Sequence, residues 1–170
     1  MRFIFVKELI KKARKNKNIY LITSDLGYRA FEGFKKEFPQ RFINVGVAEN
    51  NMIGVATGLA LTGKKVFVYS ILPFLIFRSL EQIRNNICHN NLDVKLIGAG
   101  GSFSYGYQGV SHNTSEDISI MKSLPNLKIF NPGSKTEVKI VLSQMFKTKS
   151  PCLARLGKAP IIDFYKKKFL

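Results

Sequence analysis

The chain has 170 residues, 45% hydrophobic and 22% charged, which fits a globular protein with a sizeable core in a single domain, 1–170. Its 27 Lys+Arg against 11 Asp+Glu leave a net charge of +16, dispersed except for short runs at residues 11–17 and 166–168. With no zinc-finger spacing, RNP-type motif or basic-region heptad beside it, this charge reads as a lysine-rich solvated surface or a site for an anionic ligand, not as a nucleic-acid interface.

The first predicted element is a helix in "VKELIKKARKN", where Val6, Leu9, Ile10 and Ala13 form an apolar stripe. "IYLITSD" is a short strand, and "RAFEGFKKEF" a short helix stopped by Pro39. "RFINVG" predicts a strand, followed by a helix in "VGVAENNMIGVATGLALTG" with Glu49 near its start. "KKVFVYSI" is a nearly continuous apolar run, as expected of a strand buried on both faces of a parallel sheet. After Pro73, "FLIFRSLEQIRNNICH" predicts one longer helix. "DVKLIGAG" is a strand entering the glycine-rich loop "GAGGSFSYGYQGVSH". "SEDISIMKSL" predicts a helix capped by Ser115, with Glu116 and Asp117 in its first turn. "NLKIF", "KTEVKIVLSQMF" and "CLARL" complete the pattern as strand, helix and strand.

This alternation predicts an α/β fold with a mainly parallel sheet of about six strands and helices on both faces. Asp25, Glu49, the 98–112 loop and Lys158 all follow predicted strands, so they are expected to gather at the carboxyl edge where such sheets bind ligands. Cys88 and Cys152 stand apart without a CxxC or metal-ligand spacing, which predicts reduced thiols, no metal site and a cytoplasmic location. No apolar run reaches membrane-spanning length, and the opening "MRFIFVKELIKKARKNK" lacks the apolar segment and cleavage site of a signal peptide.

Taken residue by residue, the chemistry stays open. Glu49 suits the first turn of a helix, where a carboxylate complements free N–H groups, or a drier position, where desolvation would raise its pKa for proton sharing. Gly54 and Gly58, one helical turn apart, allow close packing on a sheet or on a partner helix. His112 closes the glycine-rich loop and is either structural or functional. Phe74 and Phe77, three apart on one helical face, suit a core or a stacking wall for a flat heterocycle. Neither a P-loop nor a dinucleotide-binding GxGxxG is present.

In this order, "SDLG", "INVGVAENNMIGVATGLALTG", "FLIFRSLEQIRN", "GVSHNTSEDISIMKSLPNLKIFNPGSKTEV" and "PCLARLGK" resemble the pyrimidine-binding domain of the transketolase family of thiamine-diphosphate enzymes. The likeness runs from Ser24 to Lys158 and is greatest to the C-terminal halves of split transketolases and of deoxyxylulose-phosphate-synthase-like proteins. The resemblance implies that Glu49 reaches across a subunit interface to N1′ of the cofactor's aminopyrimidine and activates the cofactor for two-carbon ketol transfer. It implies that His112 faces substrate oxygens, with Ser111 where the family has threonine. Phe74 and Phe77 resemble the aromatic wall around the pyrimidine. The family's Ser-Thr-Phe reads Ser70-Ile71-Leu72 here, which displaces the stacking ring toward Phe74.

Asp25 matches an aspartate near the cofactor, and Lys158 stands where relatives place an arginine for a sugar phosphate. Gln108 replaces an aspartate that contacts a sugar hydroxyl, and Gly100 replaces a loop histidine, so the donor sugar does not carry over. The diphosphate-and-magnesium motif, Gly-Asp-Gly followed by asparagine, is missing. The resemblance therefore implies that a diphosphate-binding N-terminal subunit holds the diphosphate and Mg²⁺, in a homodimer or heterotetramer acting on a sugar phosphate or 2-oxoacid. The alternatives are a β-type component of a 2-oxoacid-decarboxylating enzyme and a non-catalytic scaffold that kept the fold.

Overall fold

The computed structural model describes residues 1–158; the basic run at 166–168 lies outside them. Helix α1 (Arg2–Lys15) leads into β1 (Ile19–Thr23), α2 (Glu32–Glu37) and β2 (Phe42–Asn44). Then come α3 (Glu49–Leu61), β3 (Lys65–Ile71), α4 (Leu72–Phe77) and α5 (Leu80–Gln82), the last running into a π-helical turn, Ile83–Cys88. The remainder is β4 (Val94–Ala99), α6 (Asp117–Lys122), β5 (Lys128–Phe130), α7 (Lys135–Lys147) and β6 (Cys152–Leu156). All six strands of the described residues are parallel, in the order β2-β1-β3-β4-β6-β5. The α/β fold expected from the alternation is the one observed.

Alternate residues of the central strands feed two cores, as the period of two along a strand requires. Phe67 and Tyr69 of β3 and Ile97 of β4 join Phe5 and Leu9 of α1, Phe34 of α2 and Leu142 of α7 on one face. Val66, Val68 and Leu96 join Met52, Ile53 and Ala56 of α3, with Leu72, Leu75 and Ile76 of α4, on the other. The result is a three-layer sandwich. Its amino-terminal edge is closed by Lys95, fully buried, whose Nζ donates to the carbonyls of Thr148 (2.9 Å) and Ser150 (2.6 Å) and pairs with Asp93 at 2.8 Å.

Two local expectations are corrected. The helix after Pro73 is broken at Arg78–Ser79, where the buried Ser79 hydroxyl donates to the Leu75 carbonyl and competes with the backbone ladder. Ser115 does not cap α6. The Glu116 carboxylate instead accepts from the Ser115 N–H (2.8 Å) and the Thr114 hydroxyl (3.1 Å), and the helix starts at Asp117. Of the two packings left open for Gly54 and Gly58, the one on the sheet is not used: both are exposed, and an added Cβ would meet nothing within 4 Å. Among the described residues no helix is long and apolar enough to cross a membrane.

Candidate active site

The chain leaves β1 for the edge strand β2, then returns through α3 to β3 on the other side of β1. This reversal opens a crevice at the carboxyl ends of β1 and β3. Glu49, the first residue of α3, sits over it and is 4% exposed. Its Oε1 accepts from Ser24 Oγ, just past β1, and from Ser70 Oγ, near the end of β3, each at 3.2 Å. The two hydroxyls lie 3.0 Å apart and anchor one carboxylate oxygen to both strands.

The other oxygen, Oε2, accepts from Arg78 Nη1 at 3.0 Å. The break between α4 and α5 leaves Arg78 one helical turn beyond Phe74, and its guanidinium carbon lies 3.9 Å from the Phe74 ring centroid. Burial alone pushes the Glu49 carboxyl up. The hydrogen bond from Arg78, its own backbone N–H, the Arg78 charge and the Ser24 hydroxyl together outweigh burial and leave it below the ordinary glutamate value. The raised pKa expected of a buried glutamate is thus absent in this chain, because Arg78 supplies a counter-charge that no local sequence pattern announces.

His112 meets Phe74 edge-on, with ring centroids 4.7 Å apart, and lies 5.6 Å from the Tyr105 ring. Ser111 Oγ is 2.9 Å from His112 Nδ1. The loop carrying these rings is organised by Asn113. Its side-chain amide donates to the carbonyls of Gly106 (2.8 Å) and Gly109 (3.0 Å), and its oxygen accepts from the Tyr105 N–H (3.0 Å). Gly100 turns the chain at φ +84, and a Cβ there would run into the Tyr105 ring. Only glycine permits both the turn and the seat of that ring.

Glu49, Phe74 and His112 are therefore drawn into one cluster. Lys158 joins its rim through Tyr105, with Nζ 4.2 Å from the ring centroid. Phe77 points elsewhere, packing on the α3-side core and lining a groove with Asn50 and Arg84. Asp25 is turned toward Asn44. Its N–H donates to Asn44 Oδ1 (2.9 Å), its Oδ1 accepts from Asn44 Nδ2 (3.0 Å), and the pair holds it at φ 55. Gln108 is exposed in a 3₁₀ turn, Gly106–Gln108. Ser24, Ser70 and Arg78 are the members that sequence reasoning missed. The signal for the serines was a polar residue at the end of an apolar strand run; Arg78 carried none. Among the described residues no group of three or more His, Cys, Asp or Glu could hold a metal ion.

A doubly wound parallel sheet with an acid-bearing helix over its switch point defines a class, the α/β proteins that take their ligand at the carboxyl edge. Over residues 1–161 the chain matches the family described as "Transketolase, pyrimidine binding domain", and it belongs to that family. It is 39% identical over 159 residues to a protein described as a transketolase C-terminal section from Methanocaldococcus jannaschii, covering 93% of this chain and 50% of that one. It is 32% identical over 162 residues to one subunit of an apulose-4-phosphate transketolase from Phocaeicola vulgatus, covering 95% and 52%. A solved structure described as "Split gene transketolase, inactive beta4 tetramer" matches with a TM-score of 0.85 at 30% identity, over 97% of this chain and 53% of that one. The chain spans about half the length of the curated relatives it matches.

Proposed function

We propose that the chain is the pyrimidine-binding part of a thiamine-diphosphate-dependent, transketolase-like enzyme, a single unit that works only with a second chain holding the diphosphate and Mg²⁺. One observation carries this reading: a buried carboxylate at the switch point and the face of Phe74 converge on the same planar group, at present the Arg78 guanidinium. A slot that grips a flat cationic N–H donor by edge and face fits an aminopyrimidine. When bound, thiamine diphosphate supplies the nucleophilic carbon for two-carbon ketol transfer.

Within this reading Ser24 and Ser70 fix the carboxylate of Glu49, which holds a proton at N1′ of the pyrimidine. Phe74 stacks on the ring, and His112, with Nδ1 engaged by Ser111, presents Nε2 to substrate oxygens. Phe77, packed on the α3-side core, and Asp25, held by Asn44, are given no contact with the ring in this reading. Lys158, as a point charge on the rim, and Gln108 meet a sugar phosphate. Names of the relatives point the same way: one is a subunit of an apulose-4-phosphate transketolase, and another is a split transketolase caught as an inactive beta4 tetramer.

The test is Glu49→Gln in the chain assembled with a diphosphate-binding partner. Exchange of the cofactor's C2 proton should slow at least about tenfold, roughly 1.4 kcal/mol of barrier, with folding and assembly unchanged. Exchange at the wild-type rate would remove Glu49 from the chemistry.

A further inference from the structure

Two planar groups cannot occupy one face of one ring at van der Waals distance. The Arg78 guanidinium already lies 3.9 Å from the Phe74 centroid and donates to Glu49 Oε2 at 3.0 Å. These are the stacking contact and the carboxylate contact that an aminopyrimidine needs. We propose that Arg78 is a placeholder: without cofactor its guanidinium fills the pyrimidine slot between Glu49 and Phe74, and it leaves when the pyrimidine enters. The inference rests on the pyrimidine-site reading above and concerns a residue that this reading does not require.

The setting of Arg78 suits a group that comes and goes. Its side chain is 47% exposed, whereas that of Glu49 is 3% exposed, so one partner is fixed and the other reaches in from solvent. Among the described residues Glu49 is the one hydrogen-bonding partner of its guanidinium. The half-exposed guanidinium can regain water on leaving, so the cost of exchange falls on the buried Glu49, which an incoming N–H donor would satisfy in turn. The exit is also present. A groove of about 520 Å³ adjoins the slot, lined by Asn50, Phe77, Arg78, Glu81 and Arg84 among others, and Glu81 offers the departing guanidinium a second carboxylate. Arg84 shares that groove but is engaged with Asn85 Oδ1 at 2.7 Å.

The arrangement solves a problem for a site completed by another chain. A buried carboxylate with neither cation nor ligand is costly, and Arg78 satisfies it until the cofactor arrives. Departure of Arg78 then removes the counter-charge just as the site is dried by the incoming ring. Burial, the largest single influence, is then opposed by the backbone N–H and the Ser24 hydroxyl without the cation, which moves Glu49 toward sharing a proton with the ring nitrogen.

Unphosphorylated thiamine is the probe, because it presents the pyrimidine without needing a diphosphate site. In the ¹⁵N-labelled chain the Arg78 Nε–H signal should carry a ring-current shift from Phe74 and lose it on titration with thiamine, while Phe74 and His112 signals move. If the slot is open a fifth of the time or less, Arg78→Ala should bind thiamine at least about fivefold more tightly. Millimolar guanidinium should then compete with thiamine in Arg78→Ala but not in wild type. Arg78→Met, which keeps the stem, repeats the comparison if Arg78→Ala is poorly folded. Equal or weaker binding by both variants, with the Arg78 signal unmoved by thiamine, would make Arg78 a permanent partner of Glu49 and overturn the placeholder while leaving the site reading intact. Thiamine that perturbs none of Phe74, Arg78 and His112 in any form would end both.

Discussion

Arg78 keeps the Glu49 carboxyl ionised in the chain by itself, and this has a consequence for stability as well as chemistry. A carboxyl held below its ordinary value of 4.5 contributes stability that is present above that pH and lost as pH falls through the lower, folded-state value. Arg78→Met removes the hydrogen bond and the charge of the cation, so the folded-state value of the carboxyl should rise and this contribution should shrink. The stability gap between wild type and Arg78→Met should therefore open as pH rises from about 3 to about 7 and close in acid. Urea unfolding across that range measures it. In a Glu49→Gln background the same gap should not depend on pH, which separates Glu49 from Glu37 and Glu116, whose carboxyls are also held low.

Among the elements, α4 matters most, because it carries Phe74 and ends at Arg78. Its seat depends on Gly98 of β4: a Cβ there would run into Leu72 Cδ1 and lie 3.0 Å from Leu72 Cβ. Gly98→Ala should cost about 1–3 kcal/mol by overpacking and tilt α4 away from Glu49. Urea unfolding would report the loss, and Leu72→Val in the same chain should recover part of it. Such elements were legible in the sequence because apolar pattern, run length and turn-forming flanks set strand or helix. The faces of β3 were not: Val66 and Val68 part from Phe67 and Tyr69 only in the fold, since both sets are apolar. Glu49, Phe74 and His112 were legible through family pattern. Ser24, Ser70 and Arg78 were not, since each meets Glu49 across 21 to 29 residues of chain and neither local propensity nor charge pattern encodes that meeting. The break at Ser79 was hidden for a different reason. A serine inside a helical pattern reads as neutral until its hydroxyl is seen bonding back to Leu75.

At the scale of the whole molecule, the proposed role, in which another chain completes the site, needs a surface for that chain. The outward side of α3 offers Asn51, Gly54, Gly58 and Leu61, all exposed and without charge, with Val47 just before the helix. An enduring contact there should bury more than about 2,000 Å² with an apolar centre. We expect Gly58→Leu to shift the chain toward monomer in sedimentation while circular dichroism stays unchanged, because its side chain would project into space that is open within one copy. A wild type that sediments as a monomer even with a diphosphate-binding partner and thiamine diphosphate present would contradict this. Among the described residues the sheet ends on both sides in strands of only three residues, β2 and β5. An all-parallel sheet assembles slowly and leaves strands unpaired on the way. Once closed, though, these stubs present few free N–H and C=O groups, and an exposed Lys128 opens one of them. A stray β-segment from another copy would find too short a ladder to climb, so crowded, newly folded chains should resist runaway strand addition even where their helices invite a partner.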